Sequence, residues 1–291
     1  MTALKQNKFI TFPIYIGLIF TLFINGWNLL LGEKLIFLKY LNIYNITPIE
    51  SYPSYFEILL QLTGIAQLLA SLTIFFALVR KEFFPNHPSF ILKYGVLLAI
   101  FSITLFGFMV RISSNHGGAA NLYFYMVLLY FLLWYIEKQS SDNNQNIFNN
   151  IKLLPIYFSV FYTMGFPGWQ KIINPYEVMG KYIKMFDGSF LSKLPGGTQP
   201  LIYFLGAMET AVVVLLIVSL VKREFLYRIE CTFLNFALLI SMITFVMLSF
   251  GLGILTNYPG STNLIFYAIL TLGLYAYISY TSQKQINTNE L

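Results

Sequence analysis

A carboxylate lies near the middle of an otherwise apolar stretch, Glu209 in LIYFLGAMETAVVVLLIVSLV. In a bilayer, an ionised side chain at such a position is costly unless it is paired, hydrated or protonated, and residues of this kind mark substrate, ion or proton sites. The structural alternative is a protonated glutamate that joins two helices by a hydrogen bond. Lys171, in GFPGWQKIINP, is the second charged residue close to an apolar stretch. Its ordinary reading is a side chain that snorkels to the headgroups. A contact with Glu209 is expected only if the helix breaks at Pro167 and Gly168 or water enters there. Glu209 and Lys171 are the candidate catalytic residues. Trp27 and Trp169 are the candidate cofactor-binding residues, able to stack on a quinone ring or else to sit in the aromatic belt at the membrane interface. Arg111 could meet a lipid phosphate or Glu57. His116 and His87 read as solvated residues of short turns.

The rest of the sequence excludes several chemistries. Cys231 is the single cysteine, so the chain has no internal disulfide, no CxxC pair and no cysteine zinc cluster. HExxH, GxSxG and Walker A patterns do not occur, and no metal site is expected. The 18 Lys and Arg against 12 Asp and Glu read as anchoring of membrane loops. Membrane lipids are therefore the expected partners, and nucleic acid is not.

These residues need elements to hold them. With 57% hydrophobic and 10% charged residues and a mean hydropathy of +0.67, the chain is too apolar for a water-soluble fold. Apolar runs of about 20 residues recur, the length a helix needs to cross a hydrocarbon layer. They predict spans at Phe12 to Leu31, Tyr55 to Val79, Phe90 to Ile112, Asn121 to Ile136, Leu154 to Ile173, Gln199 to Val221, Cys231 to Leu255 and Asn263 to Tyr280. The first is expected to be kept as an uncleaved anchor.

The chain also matches itself at a shift of 142 residues. Pro13, Ile14 and Tyr15 fall on Pro155, Ile156 and Tyr157; Gly26 and Trp27 on Gly168 and Trp169; Lys39 and Tyr40 on Lys181 and Tyr182. Gly64 meets Gly206, Glu82 and Phe83 meet Glu224 and Phe225, and Asn115, Gly118 and Asn121 meet Asn257, Gly260 and Asn263. Identities at Trp, Gly, Asn and charged positions carry more weight than scattered Leu matches would. The expected architecture is all-α and polytopic, with eight transmembrane helices as two parallel four-helix repeats, residues 1–139 and 153–291, joined by a polar linker at 140–152 that begins SSDNNQNIFNN. An even helix count per copy inserts both copies the same way up, related by a pseudo-two-fold axis along the membrane normal. Lys5, Lys8, Arg80, Lys81, Lys138, Lys152, Lys222, Arg223, Arg228 and Lys284 share the side of the termini, which favours cytoplasmic termini in a cell inner membrane. The Ile, Lys, Asn and Phe bias is that of an AT-rich bacterial genome. Lys171 and Glu209 face Leu29 and Gln67 across the repeat, so their charges belong to the second copy alone.

GFPGWQKIINP, the amphipathic KYIKMF segment, LP before a helix bearing Glu209, and the basic KREF turn together resemble the DoxX-like four-helix membrane proteins, including DoxD and MauE-type members. The resemblance implies Lys171, Pro175 and Glu209 as site positions and a place near electron-transfer chemistry. With a single cysteine, a redox role would need a quinone or a partner membrane or periplasmic protein. The leading expectation is a membrane subunit or quinone/lipid-binding partner of a redox or envelope system. A small-solute or lipid transporter and a non-catalytic membrane scaffold are the competing readings.

Overall fold

The computed structural model describes residues 9–32, 34–46, 52–85, 87–140, 146–173, 175–226 and 229–287. Lys5, Lys8 and Arg228 of the charge pattern, and residues 141–145 of the expected linker, lie outside them. All regular structure among the described residues is helical. Two compact units divide the chain, 1–148 and 149–291.

Unit 1 holds α1 (Phe12–Leu30), α2 (Lys34–Ile43), α3 (Ser54–Val79), α4 (Phe90–Ile112) and α5 (His116–Gln139). The short α6 (Asn146–Ile151) lies within the residues expected to be linker. Unit 2 holds α7 (Leu154–Ile173), α8 (Pro175–Met185), α9 (Gln199–Val221), α10 (Thr232–Ile254) and α11 (Tyr258–Asn287). In unit 1, α1 packs on α3, α3 on α4 and α4 on α5; in unit 2, α7 packs on α9, α9 on α10 and α10 on α11. The starts of α1 and α7, of α4 and α10, and of α5 and α11 each lie 142 residues apart.

Seven described helices are long and apolar enough to cross a membrane. The protein is thus a multi-pass, all-α membrane protein. The eighth expected span, α7, is a helix of 20 residues but is not among the seven. Pro155, Pro167, Gln170, Lys171 and several hydroxyls dilute it. Two expected loops are also corrected. The sequence reads as loop over Ser113 to Ala120 and Thr256 to Thr262, yet α5 begins at His116 and α11 at Tyr258. Asn115 and Asn257 explain the difference, since each side-chain oxygen accepts a hydrogen bond from the backbone N–H three residues on, Gly118 at 2.8 Å and Gly260 at 3.1 Å. The residues Ser114 and Thr256 just before them take positive φ of 62° and 56° and turn the chain sharply between the helices.

At the other end of the helices the turns are closed by carboxylates. Lys81 and Arg223 adopt left-handed backbone, φ 60° and 59°, and the next residue of each turn is a buried glutamate. Glu82 Oε2 accepts the N–H of Leu92 at 2.9 Å, in the first turn of α4. Glu224 does more: Oε1 accepts from Phe233 N at 3.0 Å, and Oε2 from Leu234 N at 2.9 Å and from the Ser219 hydroxyl at 2.6 Å. Tyr157 Oη in turn lies 2.6 Å from Ser219 Oγ. A carboxylate at a helix start satisfies N–H groups that have no partner in the helix and complements the positive end of its dipole. Glu224→Ala is expected to cost about 2 kcal/mol or more, because it leaves two donors and a buried hydroxyl unsatisfied. Thermal unfolding in detergent measures this as a lowered midpoint, whereas Glu177→Ala, on an exposed face, should shift the midpoint little.

Candidate functional site

Lys171 stands on the last turn of α7 and Glu209 at the middle of α9, and the fold brings them together. Lys171 Nζ donates to both carboxylate oxygens of Glu209, at 2.7 and 2.6 Å. The two residues are only 3% and 1% exposed, so water does not screen the pair. Of the two conditions expected for this contact, a broken helix at Pro167 and Gly168 is not needed, since α7 runs unbroken through Pro167. Close approach of the two helices makes it possible instead.

That approach depends on two glycines, each three residues before a charged partner. A Cβ at Gly168 would lie 2.9 Å from Glu209 Cβ, and one at Gly206 would lie 3.1 Å from Lys171 Cβ. The glycine of one helix thus receives the charged residue of the other, and any larger residue would push the stems apart. Small residues at such crossings are the usual way helices approach closely in a bilayer. Unit 1 uses the same device without charge. A Cβ at Gly64 would lie 3.0 Å from Leu29 Cβ, and one at Gly26 would lie 2.8 Å from Gly64 O. Gln67, matching Glu209, is buried there, and its Oε1 has no hydrogen-bond partner among the described residues.

α8 covers the pair. Met179 is buried, and Tyr182 and Phe186 are half-buried, on one side of the helix and its C-terminal end; Tyr176, Glu177, Lys181 and Lys184 are exposed. The split between faces is that of a helix lying at an interface. On the outer face, Lys181 donates to Glu177 at 2.7 Å and holds that carboxyl below its usual pKa by hydrogen bond and charge. On the inner face, the Tyr182 ring centroid lies 6.0 Å from Lys171 Nζ, within the range of a cation over an aromatic face. Tyr182 is the residue the sequence reading misses. Its signal is present in the amphipathic KYIKMF segment, but the sequence does not say which side of that segment faces inward.

The other candidates do not converge on this point. Trp169 is 65% exposed although it is two residues from the buried Lys171. Trp27, in unit 1, is 46% exposed and stacks on Phe23 of its own helix at 5.8 Å. Arg111 Nη1 donates to His116 Nδ1 at 2.6 Å, so the two residues, read separately from sequence, act together at the α4–α5 turn. His87 is exposed, with its ring 6.1 Å from that of Phe84. Among the described residues, no three His, Cys, Asp or Glu side chains are grouped so as to hold a metal ion.

Comparison with protein-family models, with curated proteins and with solved structures gives no match.

The ion pair makes a quantitative prediction. Lys171→Leu alone leaves a carboxylate buried without its partner and should cost about 3–5 kcal/mol. The double variant Lys171→Leu, Glu209→Gln installs the residues unit 1 carries at the same crossing and should restore most of that loss. A double-mutant cycle on unfolding in detergent reads the coupling.

Proposed function

We propose that this membrane protein is a DoxX-like membrane subunit that binds a quinone at the Lys171–Glu209 pair and serves as the partner of a redox or envelope system. The observation that carries the proposal is the pair's confinement to unit 2. Burying two charges costs desolvation that their attraction only partly offsets, and apolar replacements are often neutral or stabilising. Unit 1 builds the same glycine crossing with Leu29 and Gln67, so the crossing does not need the charges. Their retention is best explained by a ligand.

The residues fit a ring that carries carbonyl oxygens. Lys171 offers hydrogen-bond donors, Glu209 can hold a proton, and Tyr182 supplies an aromatic face, a role the tryptophans would have filled on the sequence reading. A bound quinone supplies a two-electron acceptor that takes up two protons on reduction. In this reading Lys171 Nζ would orient a carbonyl oxygen, the Glu209 carboxylate would take up and pass on the two protons in succession from the aqueous side, and α8 would cover the pair. The single cysteine excludes dithiol chemistry within the chain, so electrons would come from a partner membrane or periplasmic protein. The basic loops support an inner-membrane location with both termini in the cytoplasm.

Purification from native membranes followed by analysis of co-extracted lipids tests the proposal. Quinone is expected at a near-stoichiometric level in the wild-type protein and should be strongly depleted in Glu209→Gln. A wild-type protein without quinone, together with unchanged behaviour of Glu209→Gln, would overturn it; pH-dependent uptake by reconstituted vesicles that is lost in Glu209→Ala would favour transport instead.

A further inference from the structure

A second asymmetry between the units lies at the opposite end of the helices, where the basic turns are. Lys93, in the first turn of α4, is only 4% exposed, and Asn235 stands at the matching position of α10. The fold therefore does not need a cation there. A helix start carries the positive end of its dipole, so a buried ammonium at that place costs free energy that an anion would offset. Lys93 Nζ donates to the hydroxyl of Ser140, at the end of α5, at 2.9 Å.

Ser140 lines a recess of unit 1, partly open to the outside, between the α3–α4 turn, the start of α4 and the end of α5. It has room for about one water-sized group. Glu82, His87, Ser89, Gln139 and Ser140 supply most of its polar lining. Glu82 is the one acid among them, and it is engaged: Oε2 accepts the N–H of Leu92 at 2.9 Å, and Oε1 lies 3.9 Å from Arg80 Nε. Ser89 occupies the N-cap of α4, yet the N–H that a capping hydroxyl would take goes to Glu82. Among the described residues of this end, Arg80, Lys81, Lys93 and Lys138 outnumber Glu82 and Glu137. A cation entering the recess would be repelled by that excess, and an oxyanion is drawn by it. Unit 2 keeps the basic turn but not the lining. Ile229, Cys231, Asn235 and Thr281 match His87, Ser89, Lys93 and Gln139, and Glu224 takes three donors of its own unit.

We infer that this recess binds the phosphate of an anionic phospholipid. One phosphate oxygen enters beside Ser89 and Ser140, with the Lys93 ammonium behind them, and His87 and Gln139 meet the rest of the group at the mouth. The surroundings point to a lipid as the source of the phosphate. Phe76, Val79 and Phe90, on the helix ends next to the recess, are 52%, 62% and 51% exposed, so a headgroup held here has apolar side chains at hand for its acyl chains. Anionic lipid is also what basic residues at a membrane surface attract. The site belongs to unit 1 and does not depend on the reading of Lys171 and Glu209.

The experiment titrates the full chain, delipidated in detergent, with dioleoylphosphatidylglycerol, and reads binding by native mass spectrometry and by the rise in unfolding temperature. Lys93→Asn, which installs the residue of unit 2, should lower affinity by at least about fivefold. His87→Ile, also a residue of unit 2 and placed on an exposed turn, should lower it as well, and it decides alone should Lys93→Asn fail to fold. Lys222→Gln, in the basic turn of unit 2, should change it little. Dioleoylphosphatidylethanolamine should bind more weakly, and inorganic phosphate should not displace the lipid. Affinity unchanged in both unit 1 variants, or lowered as much by Lys222→Gln, would overturn the site. Tighter binding of phosphatidylethanolamine would overturn the choice of an anion, and full displacement by inorganic phosphate would overturn the lipid as its source.

Discussion

Lys171 can hold Glu209 only because Gly168 and Gly206 let α7 and α9 cross with their backbones nearly touching. The side chains are buried and the distances short, so the pair fixes the register of the two helices as well as neutralising its charges. The position of α8 follows from the same crossing. Tyr182 lies over the lysine that the crossing draws inward, while Trp169, on the outward face of α7, is left to the lipid. The residues of unit 2 that could do chemistry are therefore placed by one contact between small residues.

A second constraint governs the helix ends. In hydrocarbon, an unpaired backbone group has no water to turn to, so each turn must satisfy its own donors. Unit 2 does so with Glu224 and Asn257, and unit 1 with Glu82 and Asn115. Buried hydroxyls follow the same rule by bonding carbonyls of the preceding turn, as Thr63 does to Leu59, Ser241 to Ala237 and Thr271 to Tyr267. Polar residues of the interior are thus mostly engaged in local bonds. Tyr157 and Ser219 bond across α7 and α9, and Lys171 and Glu209 do so with charged groups.

Much of this is legible in the residues. Apolar runs bounded by polar ones predict Phe90–Ile112 and Gln199–Val221 as they stand, because lipid-facing helices must be apolar along their length. The starts of α5 and α11 escape the same reasoning because Asn, Gly and Ser favour loops on average; here the asparagine is a cap, and the helix begins just after it. The ion pair is hidden for a different reason. Sequence gives the depth of each residue from its place within its own helix, an end for Lys171 and a middle for Glu209. Depth in a bundle is set by where two helices touch. The G-x-x-K and G-x-x-E spacings at Gly168 and Gly206 encode that contact, but only when read as a pair.

The difference between the units then has a physical interpretation. The same glycine crossing appears with Leu29 and Gln67 in unit 1 and with Lys171 and Glu209 in unit 2. An apolar residue at such a crossing gains packing at no electrostatic cost, whereas a charged one must offset its desolvation through a partner. Unit 1 adds aromatic packing around the crossing, with Tyr40 and Tyr44 on Phe106. At the positions matching Phe56, Phe106 and Met109 unit 2 has the smaller Thr198, Leu248 and Gly251, with Phe186 against Gly251, and it carries the charges. The charges of unit 2 are thus an electrostatic cost that the crossing itself does not require.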